Sequence, residues 1–522
     1  MSQPQPLNGG DAAGCPAHTP TPLESTDLAH PLQSVQECPG PRNIGRASVI
    51  GALREDPYWP TRVSVPTILG AVRGVGRPTP LPPGPKGLPV LGSLLSLRRN
   101  PFEYMRRNAT QYGDIFRVPL PLMDIVAVTH PDLVSAFMDE PTGRYSMVGP
   151  ARLATHILGA AVPMLEGEKF RQRRKMLLPM FSRRHLARIG DIIADEFVKR
   201  VDLWAGWADR GQVVDLQHEI AKVTLPAFLR AMFSSTITEE EIHNTDIDIR
   251  MMMGLIGGGT LMMPMPNLLP WPGRQSAPRS FTRIHLLVRK LIRRRRETPA
   301  DTRDLLDILL DARYDDGSPL SERDLAMELI VLIGGGYETV VASLSWTLAL
   351  LLAHPEHLAA LYDEIDALGG AVPTPDDLPR LTWAKACFDE GQRLQGHPMN
   401  PRFCMADNEL GGYILPKYTL VGAPMYAIHR DPRWWPEPDI YDPTRFTDEA
   451  AVKARPRLAF MPFGSGPHHC VGTGLAYMNA QFLLAIIFQR YRLRLQPGWT
   501  PHHKFTFSVT VDGGLPITLS RV

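Results

Sequence analysis

The chain has 522 residues, 44% of them hydrophobic, enough to bury a sizeable core and to exclude a wholly disordered polymer. Fifty-six basic residues stand against 54 acidic ones, a formal net charge of +2, so no global excess of charge points to nucleic acid or an anionic membrane as partner. The five cysteines, at positions 15, 38, 387, 404 and 470, are too scattered for a disulfide framework and predict a reducing, cytoplasmic environment.

Residues 1–79 are rich in Pro, Gly, Gln and Ser and lack the basic and apolar regions of a secretory signal, so they read as a disordered extension. Within them Val63–Val75 is a mixed segment that could lie on a membrane surface or cap the fold. No stretch reaches the roughly 18–20 uninterrupted apolar residues needed to span a bilayer, and no transmembrane anchor is expected. Pro82-Pro-Gly-Pro85 marks the entry into the folded part, residues 80–522. Apolar periodicity then predicts helices over Phe102–Tyr112, Leu186–Trp207, Ser280–Arg296, Arg303–Tyr314, Leu325–Ala353, Pro355–Leu368 and, with one apolar face, Gly474–Tyr491. Strands are short: Ile115–Pro119, Ile125–Thr129, Thr419–Pro424 and Phe505–Val511. The fold class is therefore mainly α with small β-sheets, one large domain.

Three segments carry chemistry. In the helix that begins near Ser321, where Ser321 and Asp324 resemble a capping box, Gly334–Gly336 each cost about 1 kcal/mol against alanine. A local widening beside a ligand would justify them. Taken alone, Thr339 would bond its own i−4 carbonyl and Glu338 would face solvent. Glu390 and Arg393 are spaced i, i+3, which puts them on one helix face. In Phe463-Gly-Ser-Gly-Pro-His-His-Cys470-Val-Gly472, Gly464 and Gly466 let backbone approach a flat ligand, and Cys470 precedes a helix N-terminus that favours the thiolate, a ligand for soft metals. Alternatively Cys470 is a small buried hydrophobe. His468 and His469 raise a zinc reading, but consecutive residues converge poorly on one metal and no second Cys/His pair at zinc spacing appears.

Taken together the motifs resemble those of cytochromes P450. Phe463, Gly466, Cys470 and Gly472 match the family's Phe-x-x-Gly-x-x-x-Cys-x-Gly loop, which implies a Cys470 thiolate on the iron of haem b, iron protoporphyrin IX. Gly335-Gly-Tyr-Glu338-Thr339 resembles the family's (Ala/Gly)-Gly-x-(Asp/Glu)-Thr signature, implying that Thr339 acts on dioxygen and Glu338 relays protons. By position, His468, Arg174 and Arg402 would meet the haem propionates, and Glu390, Arg393 and Arg445 would form a network supporting the fold. Phe170 departs from the family's usual Trp or His, and Gln395-Gly396-His397 interrupts its usual hydrophobic-Pro run.

The resemblance implies the cytochrome P450 fold, soluble and of bacterial type, and a monooxygenase that inserts one oxygen atom from O2 into a lipophilic small molecule such as a terpenoid, fatty acid, steroid or polyketide. Electrons would come from a separate ferredoxin or flavoprotein reductase, docked on the cluster Arg171, Arg173, Arg174, Lys175, Arg183 and Arg184. Arg293–Arg296 reads as a solvated face. By position, Met251–Met253, Gly257–Gly259 and Leu261–Pro266 correspond to the entrance loop, and Tyr145–Pro163 to a pocket wall. The alternatives are a haem-thiolate peroxygenase or isomerase, and a non-catalytic haem-binding sensor.

Overall fold

The computed structural model describes residues 81–120, 124–147, 161–234, 237–257, 276–298, 303–397, 399–505 and 508–522. The N-terminal extension with Val63–Val75, residues 258–266 of the Met- and Gly-rich stretch, and residues 148–160 of the second pocket wall lie outside them.

Asn100 opens the first long helix, α1 (Pro101–Tyr112): its side chain accepts from the Glu103 amide at 3.0 Å, and Pro101 stands at the first helical position, where a missing N–H matters least. The principal helices that follow are α2 (Gly167–Leu177), α3 (Arg183–Asp202), α4 (Leu216–Phe233), α5 (Glu239–Gly257), α6 (Ser276–Glu297), α7 (Leu305–Asp311), α8 (Glu322–Leu352), α9 (Pro355–Asp366), α10 (Thr382–Gln395) and α11 (Thr473–Arg490). A five-stranded sheet lies beside them, built from β1 (Ile115–Pro119), β2 (Asp124–Val128), β3 (Tyr145–Ser146), β4 (Asn400–Cys404) and β5 (Leu420–Ala423) in the order β1-β2-β5-β4-β3. β2 and β5 pair in parallel, Ile125 opposite Leu420, and the other pairs are antiparallel. Residues nearly 300 apart in sequence are thereby fixed in one layer.

The axis of the fold is α8. It packs against α4, α6, α10 and α11. Among the described residues it is the helix long and apolar enough to cross a bilayer, and most of that apolar stretch is enclosed by its neighbours. Ser321 caps it, its hydroxyl accepting from the Asp324 amide at 3.1 Å. The Asp324 carboxylate is turned to Arg173 at 3.2 Å, so half of the expected capping box forms. Gly334–Gly336 remain α-helical, which corrects the expected widening. Their reason is spatial. A Cβ on Gly336 would lie 2.6 Å from the Phe228 ring of α4, whereas one on Gly335 would meet no atom within 4 Å.

Further expectations are corrected by packing. Leu186–Trp207 is broken after Asp202, where the chain turns and Trp204 is buried beside Tyr491, ring centres 6.2 Å apart. α11 has no single apolar face: every residue from Phe482 to Phe488 is buried, because α3, α8, α9 and α10 pack around it. Phe505–Val511 is not one strand but part of a hairpin, His503–Phe505 against Val509–Val511 with Phe505 opposite Val509. Arg295, expected on a solvated face, is 2% exposed. It clamps Asp304 through two contacts of 2.7 and 2.8 Å and donates to the Phe233 carbonyl at 3.0 Å. Asp304 in turn caps α7, so the pair ties α6 to the start of α7.

Candidate active site

The loop before α11 is shaped by two left-handed glycines, Gly464 (φ 72°) and Gly466 (φ 68°). A Cβ on Gly466 would overlap the Met138 carbonyl oxygen. The Cys470 amide donates to the Phe463 carbonyl at 3.0 Å, the Thr473 hydroxyl donates to the Cys470 carbonyl at 2.9 Å, and the Phe463 ring packs 5.4 Å from Tyr477. Gly472 is the N-cap residue of α11, with φ −83°. A Cβ there would make only ordinary contacts, with Cys470 Sγ at 3.8 Å and Phe181 at 3.9 Å. Gly466→Ala is therefore expected to cost about 1–3 kcal/mol, read as a lower denaturant midpoint at unchanged m-value. Gly472→Ala should leave that midpoint in place and show any effect in haem loading alone.

Cys470 is exposed, yet the loop around it is mostly half-buried. Its surface is open, but the protein packed around the loop desolvates the thiol and pushes its pKa up; the Gly472 amide, the Thr473 hydroxyl and the Arg174 charge pull it down by less. Desolvation at Sγ thus outweighs the helix end, and a metal cation there would reverse that balance.

Around this loop the structure gathers three of the sequence-selected basic residues. Arg174 of α2 donates to the His469 carbonyl at 2.7 Å and stands 5.9 Å from the Phe170 ring. Phe170 packs on His468 with ring centres 4.1 Å apart, and His468 Nε2 lies 3.8 Å from Glu166. Arg402, on β4, is 4% exposed and bonds Asn400 Oδ1 at 2.7 Å and the Pro401 carbonyl at 2.9 Å. Burial pushes its guanidinium down to about 10, and Glu166 acts against that. Burial likewise lowers Arg174. Neither arginine has a carboxylate in salt-bridge contact among the described residues. Arg173, expected in the docking cluster, is 2% exposed and bound to Glu328 of α8 at 2.8 Å, so it is withdrawn from the surface. Burial drives Glu328 up to about 7 against the pull of Arg173.

On α8, the Thr339 hydroxyl donates to the Gly335 carbonyl at 2.6 Å, the i−4 bond expected of an isolated threonine. Glu338 does not face solvent: it is half-buried and accepts from the Ser508 hydroxyl at 3.3 Å. Gly335 is exposed although Ile333, Gly334 and Tyr337 beside it are buried, an opening at the centre of a core helix. Glu390 and Arg393 of α10, both 0% exposed, pair at 2.6 Å, and Arg445 Nε lies 3.6 Å from Glu390. Sequence reasoning misses Glu166, Ser508 and Phe228. Each meets its partner across more than 100 residues of chain, and no local pattern marks them.

A family model for cytochrome P450 matches residues 82–517. Cyclooctat-9-en-7-ol 5-monooxygenase of Streptomyces melanosporofaciens is 30% identical over 432 residues, 81% of this chain and 92% of that one. Cyclooctatin synthase of the same organism is 27% identical over 79% of this chain and 90% of its own. Among solved structures, the cytochrome P450 CYP102L1 superposes with a TM-score of 0.75 at 24% identity, covering 85% of this chain and all of that one. With the folded part of the sequence accounted for in this way, the chain belongs to the cytochrome P450 family and is a haem-dependent monooxygenase.

Proposed function

We propose that this enzyme hydroxylates or epoxidises a lipophilic carbocyclic substrate of terpenoid type, with haem b ligated by the Cys470 thiolate and electrons delivered by a separate ferredoxin or flavoprotein reductase. One observation carries the cofactor assignment. Cys470 lies exposed at the end of the glycine loop, and Arg174, bonded to the neighbouring His469 carbonyl, and the buried Arg402 have no carboxylate in salt-bridge contact among the described residues. Ferric iron and two carboxylates supply the missing charges, so the residues present fit a haem. The exposed positions Cys470 and Gly335 belong, on this reading, to one cavity.

When bound, the haem supplies activation of O2 and transfer of one oxygen atom. The protein supplies the rest. The Cys470 sulfur donates charge to the metal. Arg174, His468 and Arg402 would hold the propionates, and Phe463, Gly464, Gly466 and Gly472 would shape the loop that receives the group. Gly335 keeps space open on α8. Thr339 holds its proton on the Gly335 carbonyl and would offer it to the cavity, and Glu338, bonded to Ser508, would pass a replacement proton taken up from solvent. The substrate class rests on the relatives' names, which specify cyclooctat-9-en-7-ol and cyclooctatin.

The test is a reduced carbon monoxide difference spectrum, followed by a spin-shift screen of cyclic terpenoid alcohols against linear fatty acids. A red-displaced carbonyl band and a saturable shift with the cyclic compounds are expected. Turnover with peroxide but not with ferredoxin, its reductase and NAD(P)H would instead make the protein a peroxygenase. Haem binding with no turnover under either regime would make it a sensor. Thr339→Ala is expected to keep consuming O2 while product per NAD(P)H falls about ten-fold or more, within what a positioned proton donor contributes, with hydrogen peroxide accounting for the difference.

A further inference from the structure

Away from the candidate haem site, a cavity of about 530 Å³ opens between α2, the start of α3 and α7. That is within the range of small-molecule sites, roughly 300–1,000 Å³. Its charged lining is lopsided. Five cations line it: Lys175, Arg184, Arg188, Arg303 and Arg313. Two carboxylates do, and both are already engaged, Asp311 by Arg303 at 2.8 Å and Asp315 by Lys175 at 2.9 Å. Arg184, Arg188 and Arg313 form no salt bridge among the described residues; Arg313 donates to the Leu310 and Ala312 carbonyls at 2.8 and 2.9 Å, which leaves Arg184 and Arg188 as the cations at this space without a hydrogen-bond or ion-pair partner among the described residues.

The start of α3 adds to this. The helix is 20 residues long, carries no acidic residue in its first turn and begins Arg183-Arg184, so two cations sit at the positive end of its dipole. Such an arrangement opposes helix formation unless an anion is present. Ser182, which caps the helix, also lines the cavity. His185 lines it from the same turn; it is 6% exposed, and its Nε2 is buried without a hydrogen-bond partner. Burial and the neighbouring Arg188 hold His185 toward its neutral form, with Asp304 acting against them, and an anion bound to Arg188 would relieve the second of these influences. Met176, Pro179 and Ile308 give the same space an apolar wall.

We propose that this cavity binds a small organic anion bearing a phosphate or diphosphate group, held by Arg184, Arg188 and the first turn of α3, with its carbon portion against Met176, Pro179 and Ile308. A concave space with a buried, unpartnered imidazole suits a small molecule better than the convex face of a protein partner. The site is separate from the oxygenation chemistry and stands or falls independently of it.

The probe is inorganic pyrophosphate, titrated calorimetrically into the haem-loaded full-length chain. Saturable one-to-one binding is expected, together with an upward move of the His185 titration followed by NMR of its ring. The double variant Arg184→Gln/Arg188→Gln, whose side chains are exposed and whose loss leaves the core intact, should bind about ten- to a hundred-fold more weakly. Arg98→Gln/Arg99→Gln removes the same net charge from an exposed helix end elsewhere and should bind as the parent does. Equal weakening in both doubles would reduce the effect to general attraction and overturn the proposal. So would absence of saturable binding. If pyrophosphate fails to bind while Arg184→Gln/Arg188→Gln slows reduction by the electron donor, the cavity belongs to partner docking and the small-anion site is wrong.

Discussion

Replacing Cys470 by alanine is expected to abolish oxygenation and to remove the red-displaced carbonyl band, while the apoprotein remains folded. The two halves of that outcome have different physical origins. Cys470 is exposed and makes no large packing contribution, so truncation leaves no core cavity, and unfolding of the apoprotein should shift by less than about 1 kcal/mol. The loop itself is held by backbone bonds, Cys470 N–H to Phe463 and His469 N–H to Gly466, each 3.0 Å, which do not depend on the side chain. Oxygenation, on the proposed function, depends on the sulfur. Without it, the metal loses the anionic donor that distinguishes this class of haem protein. Serine tests the chemistry separately from the volume: it restores a polar atom of similar size, but oxygen is a harder donor than thiolate sulfur, and the carbonyl band should not return. Parent and variant should differ most in what haem adds to thermal stability, since ligand binding stabilises with the logarithm of free ligand over its dissociation constant. A variant retaining both the band and parental turnover would remove the foundation of the proposed function.

That prediction rests on a segment readable from sequence because its constraints are local. Gly466 must be glycine where φ is 68° and the Met138 carbonyl fills the place of a Cβ, and such a requirement is written into consecutive residues. The same holds for Ser321 at the start of α8 and for the i, i+3 spacing of Glu390 and Arg393. Features that are not legible depend on partners distant in the chain. Arg173 and Arg174 look alike in sequence, two arginines in a basic helix. Only the position of Glu328, 155 residues on, decides that the first is buried. Arg295 is drawn inside by Asp304 and the Phe233 carbonyl in the same way. The burial of α11 is hard to read from its apolar pattern, because a helix surrounded by α3, α8, α9 and α10 has no polar face to supply contrast. Phe505–Val511 resembles a single strand, and only the pairing of Phe505 with Val509 shows that it folds back.

The second large effect is expected at Arg393, and its sign under a second substitution is informative. Arg393 has five N–H donors and five acceptors: both Glu390 oxygens, at 2.6 and 2.7 Å, and the carbonyls of His429 (2.8 Å), Pro438 (2.6 Å) and Ile440 (3.0 Å). Arg393→Leu removes the donor from three carbonyls, that of His429 buried and those of Pro438 and Ile440 partly so, and leaves the Glu390 carboxylate, 0% exposed, with only the Asp442 amide at 2.9 Å and Arg445 Nε at a distant 3.6 Å. Removing one partner of a buried pair costs about 3–5 kcal/mol, against a total stability of about 5–15 kcal/mol, so most of this variant should fail to accumulate as folded protein. Arg393→Lys should rescue little, because three ammonium donors lack the planar fork that reaches both carboxylate oxygens and three carbonyls. Adding Glu390→Leu to Arg393→Leu should then recover about 1 kcal/mol or more: the uncompensated charge disappears, and the new loss is one amide acceptor at Asp442. Denaturant unfolding of the two single variants and the double measures this directly. A double variant less stable than Arg393→Leu alone would mean that Glu390 finds adequate compensation in Arg445 and Asp442, and that the network is held from the carboxylate outward rather than by the guanidinium at its centre.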